Sequence, residues 1–376
     1  MRSILWGLGA VLVLASACGD GSTSATQSEA GIVVRPGESI QAAVDAADPG
    51  DTVRVMPGDY VESHGDLSAV RVTKSLKLIA ESTADAPVRI RPGPGQRNGI
   101  LIEPENPGDP WVDGIEIKGF TVEGFSGMGI WTRFVENFVI ENNVSINNEV
   151  NGIWPTLSAN GEVRNNVSYG SLDTALWVEA SENVRVVGNE LYRSPTGLEV
   201  TVSNDVHMEG NDVHDNVVGV GLYHPEAAGL PADDWPSESF RNWTLVNNRV
   251  YDNNLPNPAT SGLVGLLPPG IGVLVVGSDD IEIRDNEVTG NDFFGLILVD
   301  WCLAVGCEDG PPFPADSGPD DNRIIDNRIT QNGVAPPPHE LEALAADLVV
   351  LGGSNNCASG NEWETTTGAE ALTPCS

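Results

Sequence analysis

Glu179 and Glu199 are the residues of this sequence whose type and spacing best suit chemistry. They lie in two copies of a recurring segment, Ala175-Leu176-Trp177 and Gly197-Leu198-Glu199. Related triplets occur at Gly129-Ile130-Trp131, Gly152-Ile153-Trp154, Gly219-Val220-Gly221, Gly272-Val273-Leu274 and Gly295-Leu296-Ile297. If the middle residue of each points inward along a strand, the third points outward. The outward row then reads Trp131, Trp154, Trp177, Glu199, and two residues further on Arg133, Thr156, Glu179, Thr201 and Tyr223 beside His224. On neighbouring strands, two residues out of register, Glu179 and Glu199 have Cα atoms roughly 8 Å apart. That separation suits two carboxylates flanking a glycosidic bond with room for a water, the inverting geometry. Arg133 or His224 could instead supply the acid or base. The blander reading is a pair of solvated carboxylates on an acidic protein.

Trp131, Trp154 and Trp177 would lie about 5 Å apart on successive parallel strands. Placed outward, with Tyr223 further along, they form a flat aromatic surface on which the C–H faces of sugar rings stack. The competing expectation is a hydrophobic ladder buried under an inserted loop or tail.

The elements that hold these residues are set by a second repeat. Asn followed by any residue and then an apolar one recurs at Asn142, Asn165, Asn189, Asn211, Asn248, Asn286, Asn327 and Asn361. The first steps are 23, 24 and 22 residues and the later ones 37, 38, 41 and 34. A short period with enlarged steps is the mark of a solenoid with inserted loops. Alternation in Val184/Val186/Asn189/Leu191, Val206/Met208/Asn211/Val213 and Ile281/Ile283/Asn286/Val288 puts the apolar members inside. The Asn sits at the bend, where it tolerates left-handed backbone and can hydrogen-bond to the next coil. The asparagines are therefore structural.

The insertions 225–240 and 301–320 follow the Trp-bearing strand, whereas 255–269 and 334–346 precede it. Together they can wall a groove. Leu263, Val264, Leu266 and Leu267 are expected to cover the late apolar face of Leu274/Val276 and Ile297/Val299, and Glu340–Ala345 to add a helical turn.

At the start of the chain, Arg2, the apolar run Ile4–Leu14 and Ala15-Ser16-Ala17-Cys18 read as a secretory signal too short to span a membrane. These residues resemble a bacterial lipobox, which implies cleavage before Cys18 and lipid on it. Further on, Ser39 can cap a short helix with Ile40, Ala43, Val44 and Ala47 on one face. Pro49-Gly50 ends it, Asp51–Val55 alternates as a strand, and Pro57-Gly58-Asp59-Tyr60 turns the chain. These segments resemble the N-terminal cap of right-handed parallel β-helix proteins of the pectate-lyase-like superfamily. The fold this implies is an all-β, single-stranded right-handed parallel β-helix. Its expected divisions are 1–17 signal peptide, 18–31 linker, 32–62 N-terminal cap, 63–356 coils and 357–376 C-terminal cap.

The formal net charge is −35, with no basic stripe to neutralise phosphates, which argues against nucleic acid as a partner. Carboxylates and Asn carbonyls are also the ligands calcium takes, and Asp320-Asp321 and Asp233-Asp234 are the candidate Ca2+ loops. Adjacent aspartates are more often simply solvated. Beyond Cys18 the cysteines are Cys302, Cys307, Cys357 and Cys375. An even number suggests two disulfides, with Cys302–Cys307 and Cys357–Cys375 the simplest of three connectivities. A zinc site lacks the usual paired spacing.

The polygalacturonase signatures are missing from the sequence. The nearest approach to the Asp-Pro-His-Glu of mannuronan epimerases is His224-Pro225-Glu226, which reverses the order. Pectate lyases need a basic proton abstractor, and the only lysines are Lys74, Lys77 and Lys118. Taken whole, the chain looks most like bacterial parallel β-helix repeat lipoproteins. It is also similar to periplasmic NosD-like carbohydrate-binding and sugar-hydrolase repeat proteins, although no Met- or His-rich cluster supports copper handling. Three expectations follow. The first is a lipid-anchored protein of the cell envelope, periplasmic or cell-surface, that binds polysaccharide on the Trp131/Trp154/Trp177 face. The second is a polysaccharide hydrolase, lyase or epimerase using Glu179, Glu199, Arg133 or His224. The third is a non-catalytic structural or interaction protein with an envelope protein as partner.

Overall fold

The computed structural model describes residues 31–223, 240–306 and 317–375. Within them the chain winds through three parallel sheets of 12, 11 and 10 strands, each strand pairing with its counterpart one coil earlier and one coil later. Sheet A runs from Ile32–Val34 to Cys357–Ser359, sheet B from Gly58–Val61 to Arg328–Thr330, and sheet C from Ser68–Val72 to Thr366–Thr367. This is the right-handed β-helix that the repeats imply. His224, Cys18 and Cys307 lie outside the described residues, as does the Asp233-Asp234 loop.

The middle residues of the triplets build the interior of sheet C. Ile130, Ile153, Leu176, Leu198, Val220, Val273, Leu296 and Leu348 pair in direct register and are fully buried. In parallel register each aliphatic side chain stacks on its like, so one apolar column runs the length of the solenoid. A single Leu→Ala truncation in such a column costs about 2–5 kcal/mol.

The amide ladder exists, but its first members are not Asn142 and Asn165. The row is Asn143, Asn166, Asn189, Asn211, Asn248, Asn286, Asn327 and the half-buried Asn361, with each Nδ2 donating to the Oδ1 of the next. Asn142 and Asn165 instead take the positive-φ turn one residue earlier, at φ 55° and 54°. Ser145 and Ser168 occupy the inward position that Leu191 holds a coil later. A second ladder, unforeseen in the sequence, runs through Asn216, Asn253, Asn291 and Asn332 to Asp347. At these bends the backbone N–H of each ladder residue donates to the side-chain oxygen of its counterpart one coil on.

The helix Ile40–Ala46 is capped by Ser39, whose hydroxyl accepts from the Ala42 N–H. Glu62 accepts from the Ile40 N–H at 2.6 Å and from the Ser39 hydroxyl at 2.6 Å. Cys357 pairs with Cys375, and Cys302 is also disulfide-bonded. Trp301–Val305 forms a helix capped by Asp300, and Glu342–Leu344 a short 3-10 turn. No helix among the described residues is long and apolar enough to cross a membrane.

Candidate functional site

The outward columns of sheet C follow the expected order. Trp131 pairs with Trp154, and Trp177 with Glu199, then Glu199 with Gly221 and Gly221 with Leu274. In the neighbouring column Thr156 pairs with Glu179, Glu179 with Thr201 and Thr201 with Tyr223. The tryptophans, however, do not form a flat platform. Their rings stack face to face, with centroids 5.1 and 5.3 Å apart and planes within 6° and 11° of parallel. Each ring spends its faces on its neighbours, as offset aromatic stacks do. Only the two terminal faces and the ring edges remain, and all three side chains are half-buried rather than covered.

The two ends of the stack differ. At the Trp131 end the Arg133 guanidinium lies 5.9 Å from the ring centroid and 5.2 Å from that of Phe134, a cation–π arrangement. Arg133 is therefore engaged two strands away from Glu179, at roughly 10 Å, and is not brought to the carboxylates. At the other end Trp177 donates from its indole N–H to the Thr201 hydroxyl at 3.0 Å. Its outer side borders a cavity.

The carboxylates are not on a solvated face. Glu179 is 1% exposed and Glu199 is 6% exposed. Glu199 accepts from the Thr174 hydroxyl at 2.8 Å, and Glu179 from the Thr156 hydroxyl at 3.3 Å, leaving Glu179 Oε1 buried without a hydrogen bond. Burial pushes the Glu179 carboxyl up to about 8, with a smaller push from Asp173. Burial first, then Asp173 and Glu179, raises Glu199 well above the ordinary range. Asp173, raised to about 6 by burial, is the third member of the cluster. Among the described residues no salt bridge neutralises any of the three. Low-dielectric surroundings without a cation favour the neutral acid.

Asp173 was missed in the sequence because it sits just before the strand Thr174–Glu179, at a turn where a lone Asp carries no signal. Its backbone carbonyl accepts from Thr196 N–H at 3.1 Å, anchoring it beside the next coil.

The cavity has a volume of about 440 Å3. Asp173, Trp177, Glu199 and Tyr223 line one end of it, and Phe293 and Ile297 the other. Glu179 does not line it, so the carboxylates that share the accessible site are Asp173 and Glu199 rather than Glu179 and Glu199. Tyr223 lies back along its own strand. A Cβ at Gly221 would stand 2.4 Å from the phenol carbon and oxygen of Tyr223, so only glycine leaves the ring its place. The phenol is nearly buried, and its pKa is raised well above ordinary by burial and then by Glu199. Tyr223 is thus a wall of the site beside Glu199.

The loop expected to seal the late apolar face does so only in part. Leu267 packs on the cluster of Ile271, Leu274, Phe294 and Ile297, while Leu263 and Leu266 line the cavity and are left 45% and 73% exposed. Among the described residues no group of three or more His, Cys, Asp or Glu side chains could hold a metal ion. The Asp320 carboxylate accepts from the Ser354 N–H, and Asp321 occupies a left-handed turn at φ 56°.

The model of a right-handed beta helix region matches residues 98–230, which include the whole Trp/Glu row. No curated protein matches the sequence. Among solved structures, the A-module of mannuronan C-5 epimerase AlgE4 from Azotobacter vinelandii is similar, with TM-score 0.63 and 17% identity over 86% of this chain and 82% of that one. DFA-IIIase from Arthrobacter chlorophenolicus A6, without its lid, gives TM-score 0.58 and 12% identity over 92% and 91% of the two chains. The same enzyme in complex with GF2 gives TM-score 0.55 and 14% identity over 87% and 77%. At such identities the likeness is one of fold, and on the repeats, the three sheets and these comparisons the chain is a right-handed parallel β-helix protein.

Proposed function

We propose that this protein binds a saccharide at the Trp177 end of the aromatic stack and cleaves it by acid–base catalysis with Glu199 and Asp173. The observation that carries the reading is the column order. The free end of the stacked tryptophans leads in register to a buried carboxyl that lines a cavity. A sugar ring stacked on Trp177 would place its substituents against Glu199. With its pKa raised well above the ordinary range by burial, Glu199 holds its proton to higher pH than an ordinary carboxyl and can donate it to the glycosidic oxygen as the C–O bond breaks. Asp173, raised only to about 6, is ionised at pH 7 and can accept a proton from the attacking water, whose oxygen becomes the new hydroxyl. Two titratable groups pushed apart in this way are the recognisable mark of an acid and a base. The carbohydrate setting is also that of the similar structures, an epimerase of mannuronan and a DFA-IIIase captured with GF2.

Incubation with a panel of oligo- and polysaccharides, followed by assay of new reducing ends, tests the reaction. Glu199→Gln and Asp173→Asn should each lower the rate by 100-fold or more with the fold intact by far-UV CD. Unsaturated uronate absorbance without new hydrolytic ends would replace hydrolysis by elimination. Glu179 stays outside this pair, as a buried acid behind the site.

The stacked tryptophans also favour a second reading, saccharide binding without turnover. It predicts a fluorescence change on titration and no product. Acylation of Cys18 would place either activity at the cell envelope, and a Cys18→Ser variant that loses membrane fractionation tests that anchor.

A further inference from the structure

The cavity continues well past the carboxylates, and its character changes. Along one outward column Glu199 is followed by Gly221, Leu274 and Ile297, so acid gives way to a side-chain gap and then to aliphatic surface. Leu274 and Ile297 stand two and three strand spacings from Glu199, roughly 10 and 14 Å away. Phe293, Phe294 and Leu267 line the cavity with them, and the volume of the whole cavity falls within the range of small-molecule sites. Apolar walls of this kind hold water poorly. A second sign is that Leu263 and Leu266, which also line the cavity, are exposed. Apolar side chains held in water at a rim mark a surface that meets an apolar ligand.

We infer that the cavity receives the apolar aglycone or acyl group of an amphiphilic, uncharged saccharide whose sugar sits at Trp177, Asp173 and Glu199. This rests on the saccharide reading above for the head and on the cavity alone for the tail. The head is uncharged because the Asp173 carboxylate at the cavity wall repels an anionic sugar, and no salt bridge among the described residues brings a cation to Asp173 or Glu199 to offset it. A protonated carboxyl and a phenol are suited instead to hydrogen bonds with hydroxyls. Tyr223 marks the boundary, because its phenol lies over Gly221, the position between Glu199 and Leu274, and its ring packs in the apolar cluster of Leu274 and Ile297.

The test uses the full chain and the neutral fluorophore N-phenyl-1-naphthylamine. The fluorophore should bind, and a series of alkyl glucosides and maltosides should displace it, with affinity rising about fourfold per added methylene until the cavity is full. Unsubstituted glucose and maltose should displace it at least 100-fold less well, and primary alcohols of matched chain length at least tenfold less well. Ile297→Trp, which fills the cavity, should cut fluorophore and alkyl glycoside affinity tenfold or more. Leu266→Glu, at an exposed position that does not threaten folding, should do the same to a smaller degree. Absence of fluorophore binding, or no dependence on chain length, overturns the inference and leaves the Trp177 site standing. Alcohols that compete as well as glycosides overturn it from the other side, by showing that no sugar is read. Displacement by alkyl glycosides without any hydrolysis supports the inference while removing the catalytic part of the function proposed above.

Discussion

Trp177 and Glu199 are direct partners on adjacent parallel strands, the last ring of a stacked aromatic row beside a buried acid that faces a cavity. The pairing turns a repeated structural motif into a site. Upstream of Trp177 each indole is closed off by the next, and downstream of Glu199 the column becomes aliphatic. The position where aromatic, acidic and apolar surface meet is therefore dictated by the register of the coils.

Glu179 gives the clearest pH dependence. Its folded pKa of about 8 exceeds the ordinary 4.5, so its favourable contribution is fully present below about pH 4.5 and is lost as pH rises to about 8. Linkage sets that loss on the order of 5 kcal/mol. Thermal melts of the wild type should fall in Tm across this window, and Glu179→Gln should be the more stable protein at pH 8 while differing little at pH 4.5. Parallel melting curves for the two proteins over the whole range would show that burial does not perturb this carboxyl. Asp173 and Glu199 contribute in the same direction, so the variant flattens the slope without removing it.

The ladder register makes a prediction that separates neighbouring asparagines. Removing the Asn166 side chain strips the Asn143 N–H and Nδ2 of their acceptor and the Ile140 carbonyl of a donor. Asn166→Ala should cost about 3 kcal/mol or more in urea unfolding. Asn165→Ala changes only a left-handed turn residue and should cost about 1 kcal/mol. Equal losses would mean that the ladder assignment is wrong.

Gly221→Ala should displace the Tyr223 ring, since the new methyl would meet it at 2.4 Å. The expected signs are a changed near-UV CD spectrum, a loss of about 1–3 kcal/mol in stability, and weaker saccharide binding. Recovery of stability, though not of binding, in the double variant Gly221→Ala/Tyr223→Ala would tie the stability loss to the ring, whereas an unchanged spectrum in the single variant would contradict the close approach.

The coil architecture was legible because period and alternation are properties of the sequence itself. The triplets from Ile130 to Ile297 placed the inward and outward columns of sheet C in the order the structure has them. The doublets Asn142-Asn143 and Asn165-Asn166 defeated the same logic, because either member can satisfy a one-residue pattern and only the hydrogen bonds choose. Alternation told that the tryptophans point outward, yet ring tilt depends on χ angles set by neighbours, so the face-to-face stack was invisible. Asp173 had no pattern to belong to, and reached the site because its turn abuts the next coil. The burial of Glu199 depends on contacts with Thr174 and Tyr223 from other coils.

The central claim is that a saccharide is held on the free face of Trp177 beside Glu199. Fluorescence titration of the full chain with a panel of neutral glycosides and oligosaccharides, repeated on Trp177→Ala and Trp131→Ala, tests it most directly. Loss of one stacking face of about 1.5 kcal/mol corresponds to roughly tenfold in affinity. The account predicts that Trp177→Ala weakens binding tenfold or more while Trp131→Ala, at the end occupied by Arg133, changes it less than about twofold. Equal losses from the two substitutions, or no saccharide response in the wild type, would contradict it.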